Sequence, residues 1–174
     1  MDFSSRITRL PRPFESEQGQ EARALFPDLG SDLADLIDGA AGCSPYLKTL
    51  MEKERDWLPE ALDAPEAALD TLVADLPSAL RQGKRRVALL TGLADLAGVW
   101  PLEEVTGRLT EYADLSCDLA MKACVGAEIR RGKLPGKTED DLDTAGGMVA
   151  LAMGKMGAGE LNYSSDIDLI CLFD

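Results

Sequence analysis

The sequence predicts an α+β chain, a mainly α-helical N-terminal region followed by a single β-turn-β unit. Three observations carry this. From about residue 21 to residue 140, apolar side chains recur at helical spacing. From Met148 onward the pattern becomes a short apolar run, a glycine-rich turn and a second apolar run. The composition is 45% hydrophobic but only 5% aromatic, so the core is expected to be mostly Leu, Ala and Val.

Residues 1–20 carry Pro11, Pro13 and mixed polar side chains, and are expected to form an irregular arm with little fixed structure. Short amphipathic segments follow, first at Leu33, Leu36 and Ile37, then at Tyr46, Leu47 and Leu50. Asp63-Ala64-Pro65-Glu66 has the form of a helix start, a candidate cap followed by an early Pro and Glu. Leu69, Leu72, Val73 and Leu76 continue that helix as one apolar stripe, until Pro77 ends or restarts it. Residues 87–96 predict the next helix. Pro101-Leu102-Glu103-Glu104 opens another, in which Leu109, Tyr112, Ala113, Ser116, Leu119, Ala120 and Ala123 keep helical spacing. These stripes read as core positions and give no support to a cofactor groove.

Arg130, Arg131, Lys133 and Lys137 surround Pro135 and Gly136 in a linker that Glu139-Asp140-Asp141 and Asp143 close. The domain boundary is placed near residue 140, leaving an arm at 1–20, a helical region at 21–140 and a strand-bearing part at 141–174. Arg81, Lys84, Arg85 and Arg86 form a compact basic cluster, expected either as a solvated helix start or as a face for an acidic or phosphorylated partner.

A net charge of −13 disfavours nucleic acid as a partner, because phosphate backbones need a basic surface. The chain has no apolar run of a length that spans a membrane and no signal-peptide pattern in Met1-Asp2-Phe3-Ser4-Ser5-Arg6, so no membrane partner is expected and the cytoplasm is inferred. Histidine is absent, which excludes His-based triads, His general bases and His-containing zinc sites. Cys43, Cys117, Cys124 and Cys171 lack Cys-x-x-Cys spacing and read as small buried hydrophobes with reduced thiols, with Cys117 and Cys124 on one helical face.

The chemistry concentrates in the last part, Met153-Gly154-Lys155-Met156-Gly157-Ala158-Gly159, then Asn162-Tyr163-Ser164-Ser165-Asp166-Ile167-Asp168-Leu169. Gly154, Gly157 and Gly159 permit positive φ and a close approach of backbone to phosphate, and Lys155 adds a point charge. Asp166 and Asp168 are two apart, so in an extended strand both point from one face, roughly 6.5 Å between Cα atoms. Carboxylates so placed can converge on a divalent cation, and Mg²⁺ suits hard oxygen ligands shared with substrate phosphates. Ile167, Leu169, Cys171 and Phe173 fall on the opposite face, and Ile170 and Leu172 extend the carboxylate face. A strand over residues 167–173, apolar on both faces, is expected to be buried.

This order of motifs resembles the polymerase-β-type nucleotidyltransferase superfamily, in which an apolar residue, Gly, a small residue and a spacer precede Asp-apolar-Asp-apolar. Lys155 departs from the Gly or Ser usual there. With Glu160-Leu161-Asn162-Tyr163-Ser164-Ser165-Asp166-Ile167-Asp168 it resembles more narrowly the bifunctional bacterial glutamine synthetase adenylyltransferase/adenylyl-removing enzymes. The close likeness covers residues 148–174, and a looser one, through Leu93-Ala94-Asp95-Leu96-Ala97-Gly98, reaches back to about residue 80. Ala152 and Met156 are mild departures from that family's commoner Gly and Leu.

The resemblance implies a nucleotidyltransferase palm of which only the first β-turn-β is present. It implies an enzyme with two such domains, the first removing AMP from an adenylyl-tyrosine of glutamine synthetase by phosphorolysis to ADP, the second adenylylating with ATP. A motif about 150 residues from the first Met matches the removing copy. It further implies Mg²⁺ held by Asp166 and Asp168 as catalytic metal ligands, and nucleotide and phosphate contacts from Gly154, Lys155, Gly157, Ser164 and Ser165. Glu160 would orient the turn or a metal-bound water, and a PII-type signalling protein would be a further partner. A third carboxylate is expected from a later strand. Asp174 has the parity of Asp166 but lies roughly 20 Å from Asp168 along a straight strand, and cannot replace it. The 174 residues are therefore expected to be a fragment inactive by itself, with an apolar strand edge that promotes association. The alternatives are another nucleotidyltransferase acting on a small molecule or tRNA, and a non-catalytic helical interaction module.

Overall fold

In the computed structural model residues 2–74 and 76–173 are described, without the side chains of residues 73–79. Val73, Leu76 and Pro77, as side chains of the expected stripe, lie outside the described residues, as does Asp174. The chain is mainly helical with one antiparallel pair of strands, as an α+β sequence requires. The helices are α1 (Ser16–Ala24), α2 (Ser31–Cys43), α3 (Pro45–Lys53), α4 (Leu58–Asp63), α5 (Pro65–Ala74), α6 (Leu76–Leu96) and α7 (Leu102–Arg130). A 3-10 segment at Glu139–Gly147 leads into β1 (Val149–Met153), the single-turn helix α8 (Gly154–Gly157) and β2 (Asp168–Leu172).

Two compact units divide the chain, Met1–Arg108 and Leu109–Asp174, so the division falls inside α7. The passage expected near residue 140 lies within the second unit, where α7 ends at Arg130 and Thr138 caps the 3-10 segment. There the Thr138 hydroxyl accepts the Asp140 N–H at 3.3 Å and the Asp141 carboxylate accepts the Thr138 N–H at 2.7 Å.

In the first unit the apolar stripes become the core. Leu36, Ile37, Leu50, Met51, Leu58, Leu62, Leu69, Leu89, Leu90 and Leu93 are all buried, each contributing about 1.5–3 kcal/mol by leaving water. Tyr46, read with Leu47 and Leu50 as one apolar face, is instead exposed. Asp63, read as a cap, is the last residue of α4, and α5 begins at Pro65.

The N-terminal arm is a correction. Residues 2–15 hold little regular structure yet are tied down, and α1 starts at Ser16. Phe3 is fully buried, with its N–H donated to the Leu62 carbonyl at 3.2 Å, and the Thr8 N–H reaches the Ala97 carbonyl at 3.0 Å. A β-carbon on Gly39 would stand 2.0 Å from the Pro11 carbonyl oxygen. The prolines that read as disorder are thus rigid backbone laid against the small face of α2.

The basic cluster is also resolved. It lies within α6 rather than at its start, and two of its members turn inward. Glu54, whose side chain is 2% exposed, accepts from Arg85 Nε and Arg86 Nε at 2.8 Å each. The Arg86 guanidinium also stands 4.9 Å from the centroid of the Trp57 ring. Among the described residues no helix is long and apolar enough to cross a membrane.

Candidate functional site

The hairpin positions the site. β1 and β2 pair antiparallel with Val149 opposite Leu172, Leu151 opposite Ile170, and Met153 opposite Asp168. These pairs share one face of the two-stranded sheet, so Asp168 ends an apolar ladder at the edge where β1 runs into α8. The other face carries Ala150, Ala152, Leu169 and Cys171. Three of these, Ala150, Leu169 and Cys171, line an apolar cavity of about 450 Å³ with Cys117, Cys124, Met121 and Val125 of α7. Cys117 and Cys124 do share one helical face, but only Cys117 is partly buried; Cys43, Cys124 and Cys171 are exposed, and all four thiols are free. Burial raises the Cys117 thiol above the usual range, helped by the nearby Asp114 and Cys171.

Both faces of β2 are exposed, from Leu169 at 38% to Leu172 at 52%. The expected buried strand is therefore a solvent-facing one here. Double-sided apolarity specifies that a strand will be covered, and here α7 borders only one face and leaves every residue of β2 exposed.

Asp166 lies just before β2, which begins at Asp168, so only one of the two carboxylates belongs to the hydrogen-bonded ladder. They are nevertheless brought to one pocket of about 430 Å³, lined by Met153, Gly154, Lys155, Asn162, Ser164, Ser165, Asp166 and Asp168. Gly154 has φ +58° at the end of β1, and a β-carbon there would stand 3.9 Å from Asp168 Oδ2. Gly159 also takes positive φ. Gly157 has a different reason to be glycine, since its β-carbon would fall 2.3 Å from the Ala152 carbonyl oxygen of β1. Gly157 itself does not line the pocket, and neither does Glu160.

The loop after α8 is held from inside. Met156, inside the glycine-rich turn, is buried at 4%, and Leu161 at 7%. The Leu161 N–H donates to Thr110 Oγ1 of α7 at 3.2 Å, and the Glu160 N–H to the Lys155 carbonyl at 2.8 Å. Beyond Leu161, Asn162 Oδ1 accepts both the Ser164 N–H at 3.2 Å and the Ser165 hydroxyl at 2.7 Å. The Ser165 Oγ accepts the Asn162 N–H at 3.3 Å in return. The Ser165 proton is thus already given to the turn. Asn162 and Thr110 drew no notice as site residues in the sequence. An Asn two residues ahead of Ser164-Ser165 is an Asx-turn signal that would have found the first; the second, distant in sequence, left none.

The donor set is hard oxygen with one ammonium. Among the described residues no three Asp, Glu, His or Cys side chains group as a complete metal cage, so the pocket presents a carboxylate pair.

The family model for glutamate-ammonia ligase adenylyltransferase matches residues 33–174, well beyond the stretch from about residue 80 expected from the motifs. Relatives named bifunctional glutamine synthetase adenylyltransferase/adenylyl-removing enzyme occur in Bradyrhizobium sp. strain BTAi1 (38% identical, covering 95% of this chain and 19% of the relative) and Bradyrhizobium diazoefficiens (40%, covering 92% and 18%). A third, from Caulobacter vibrioides, is 41% identical over 72% of this chain and 14% of its own length. The chain spans about a fifth of the length of the first two. No solved structure matches it.

Proposed function

Because the chain belongs to the glutamate-ammonia ligase adenylyltransferase family, we propose that residues 149–172 form the cation- and phosphate-binding corner of an adenylyl-removing site acting on glutamine synthetase. The observation that carries this is the single pocket that gathers Lys155, Ser164, Asp166 and Asp168.

Phosphorolysis of an adenylyl-tyrosine breaks the bond between the tyrosine oxygen and the AMP phosphorus. An oxygen of inorganic phosphate forms the new bond to that phosphorus, ADP leaves, and the tyrosine oxygen takes up a proton. Both reacting groups are anions, so the site must offset their repulsion and align them. The carboxylate pair fits Mg²⁺, which keeps several waters and is shared with substrate phosphates. Asp166 and Asp168 would hold that ion; bound there, it supplies charge neutralisation to the attacking and leaving oxygens. Lys155 donates to a phosphate oxygen as a point charge, and Ser164 supplies a neutral donor beside it. Ser165, its proton committed to Asn162, supports the turn. Gly154 keeps the backbone open next to the Asp168 carboxylate, and Gly157 seats α8 against β1.

Of the two activities in the relatives' names, the removing one follows from the order of domains that the resemblance implies. The same resemblance calls for a third carboxylate, and the described part of the pocket holds two. Residues 1–174 by themselves should therefore bind the cation and yield no ADP from adenylylated glutamine synthetase and phosphate. The test is Mn²⁺ binding to the chain by electron paramagnetic resonance, with AMP and phosphate titrated in its presence. Bound Mn²⁺ that is weakened, though still measurable, in Asp166→Asn and in Asp168→Asn, and AMP binding that depends on the ion, support the reading. Mn²⁺ binding indifferent to both substitutions overturns it.

A further inference from the structure

We propose that Asn162 is the positioning residue that sets where Asp166 stands, a task that strand β2 does not perform. Asp168 is fixed by its place opposite Met153 in the ladder. Asp166 lies two residues before that ladder, in a segment without strand hydrogen bonds to orient it. What precedes it directly is Ser165, and Ser165 is bound to Asn162 by three hydrogen bonds. The Ser165 N–H reaches the Asn162 carbonyl at 3.3 Å, the Ser165 hydroxyl reaches Oδ1 at 2.7 Å, and the Asn162 N–H returns to Ser165 Oγ at 3.3 Å. The same Oδ1 takes the Ser164 N–H at 3.2 Å. One carboxamide oxygen therefore closes the turn on two consecutive residues, and the next residue in the chain is Asp166.

The turn has a fixed base. The residue before Asn162 is Leu161, buried and hydrogen-bonded through its N–H to Thr110 of α7. The path from a helix to Asp166 thus runs through Thr110, Leu161, Asn162 and Ser165, each step a hydrogen bond or a peptide link. An Asn supplies the acceptor without a third negative charge beside Asp166 and Asp168, where it would add to the repulsion of the empty site. The arrangement explains why both carboxylates reach one pocket although only one of them is in the strand.

This inference rests on the cation-site reading, and the experiment separates the two. Mn²⁺ binding to the chain is measured by electron paramagnetic resonance for the unsubstituted protein, Asn162→Ala, Asn162→Asp and the pair Asn162→Ala with Asp166→Asn. Groups that orient a metal ligand typically govern affinity by roughly ten- to a hundredfold, and Asn162→Ala should weaken Mn²⁺ by about that much. Asn162→Asp keeps the acceptor and should restore binding. In the Asp166→Asn background Asn162→Ala should cost nothing further, because its effect passes through Asp166; a general loosening of the fold would cost the same in both backgrounds. Normal Mn²⁺ binding by Asn162→Ala overturns the inference and leaves the cation site standing. Failure of Asn162→Asp to restore binding overturns the acceptor role. Absence of Mn²⁺ binding by the unsubstituted chain overturns the cation site itself, and the inference falls with it.

Discussion

Thr110 Oγ1 accepts the backbone N–H of Leu161 at 3.2 Å, joining helix α7 to the site loop across 51 residues of sequence. Both residues are buried, Thr110 at 6% and Leu161 at 7%. Thr110→Val keeps the shape of the side chain and removes the acceptor, so the Leu161 N–H loses its partner inside the protein. Such a group costs about 1–3 kcal/mol. The urea midpoint should fall accordingly, and Thr110→Ser should recover most of it. An unchanged midpoint in Thr110→Val would show that this bond does not anchor the loop.

The two glycines that bracket α8 should respond differently to alanine. At Gly157 the added β-carbon meets the Ala152 carbonyl oxygen at 2.3 Å, and a backbone atom of β1 cannot step aside alone. At Gly154 the nearest atom is Asp168 Oδ2 at 3.9 Å, an ordinary contact, so the cost is the left-handed backbone, about 1–2 kcal/mol. Gly157→Ala should therefore lower the melting temperature more than Gly154→Ala. Equal losses would contradict the close approach of α8 to β1.

Glu54 answers two arginines at once, and its side chain is nearly out of reach of water. Glu54→Gln keeps the shape and removes the charge. Hydrogen bonds to charged groups contribute about 1.5–3 kcal/mol, and Arg85 and Arg86, both partly exposed, can rehydrate, so a loss of about 2 kcal/mol is expected. Arg81, exposed in the same helix, should change stability by no more than about 0.5 kcal/mol on conversion to Ala. Chemical denaturation of the two variants checks the contrast; a larger loss from Arg81→Ala would reverse the assignment.

Glu66 gives the first unit a pH dependence of known sign. Burial alone would raise its carboxyl, but hydrogen bonds from Arg6 at 2.6 Å and Trp100 at 2.9 Å outweigh this and hold it below the ordinary range. The folded state therefore favours the charged form. Its contribution is complete above the unfolded value, about 4.3, and is lost as pH falls through the folded one. The side chain is 41% exposed, so the effect is small and screened by salt. The stability gap between the unsubstituted chain and Glu66→Gln should narrow on acidification below about pH 4.3; a gap that widens would contradict the sign.

How much of this was legible in the sequence depends on the range of the forces involved. Helical spacing located the core of α2 and α5 because side chains three and four apart share a face whatever surrounds them, whereas of the stripe expected in α7 only Tyr112 is buried and Ala120 and Ala123 are exposed. The glycine-rich turn and the Asp-x-Asp pair located the pocket. What the sequence missed was set by partners far along the chain. The prolines of the arm lie against Gly39 and Gly42 and its backbone is held by Ala97, Arg85 and Arg86 are ordered by Glu54, and Met156 by its burial in the second unit. The sequence placed Asp166 and Asp168 together by strand alternation alone; the bonds of Asn162 to Ser164 and Ser165, which close the turn just before Asp166, were not legible in that argument.

Lys155 separates the phosphate-binding role from the cation-binding one. It is exposed on α8 and lines the pocket with both carboxylates. An ammonium carries donors only and repels a cation, so its partner would be a phosphate oxygen. A charge-assisted hydrogen bond contributes about 1.5–3 kcal/mol, equivalent to roughly one to two decades in binding. Lys155→Met should weaken phosphate binding by that amount when titrated by calorimetry in the presence of Mn²⁺. It should leave Mn²⁺ affinity level or slightly raised, since one positive charge near the ion is gone. Stability without ligand should barely change, because the side chain is solvent-facing and buries no apolar surface that Met would lose. Lys155→Arg should recover only part of the phosphate affinity, as a planar fork does not reproduce a point charge. Undiminished phosphate binding in Lys155→Met would reduce Lys155 to a surface residue of α8 and leave phosphate recognition to Ser164 and the bound cation.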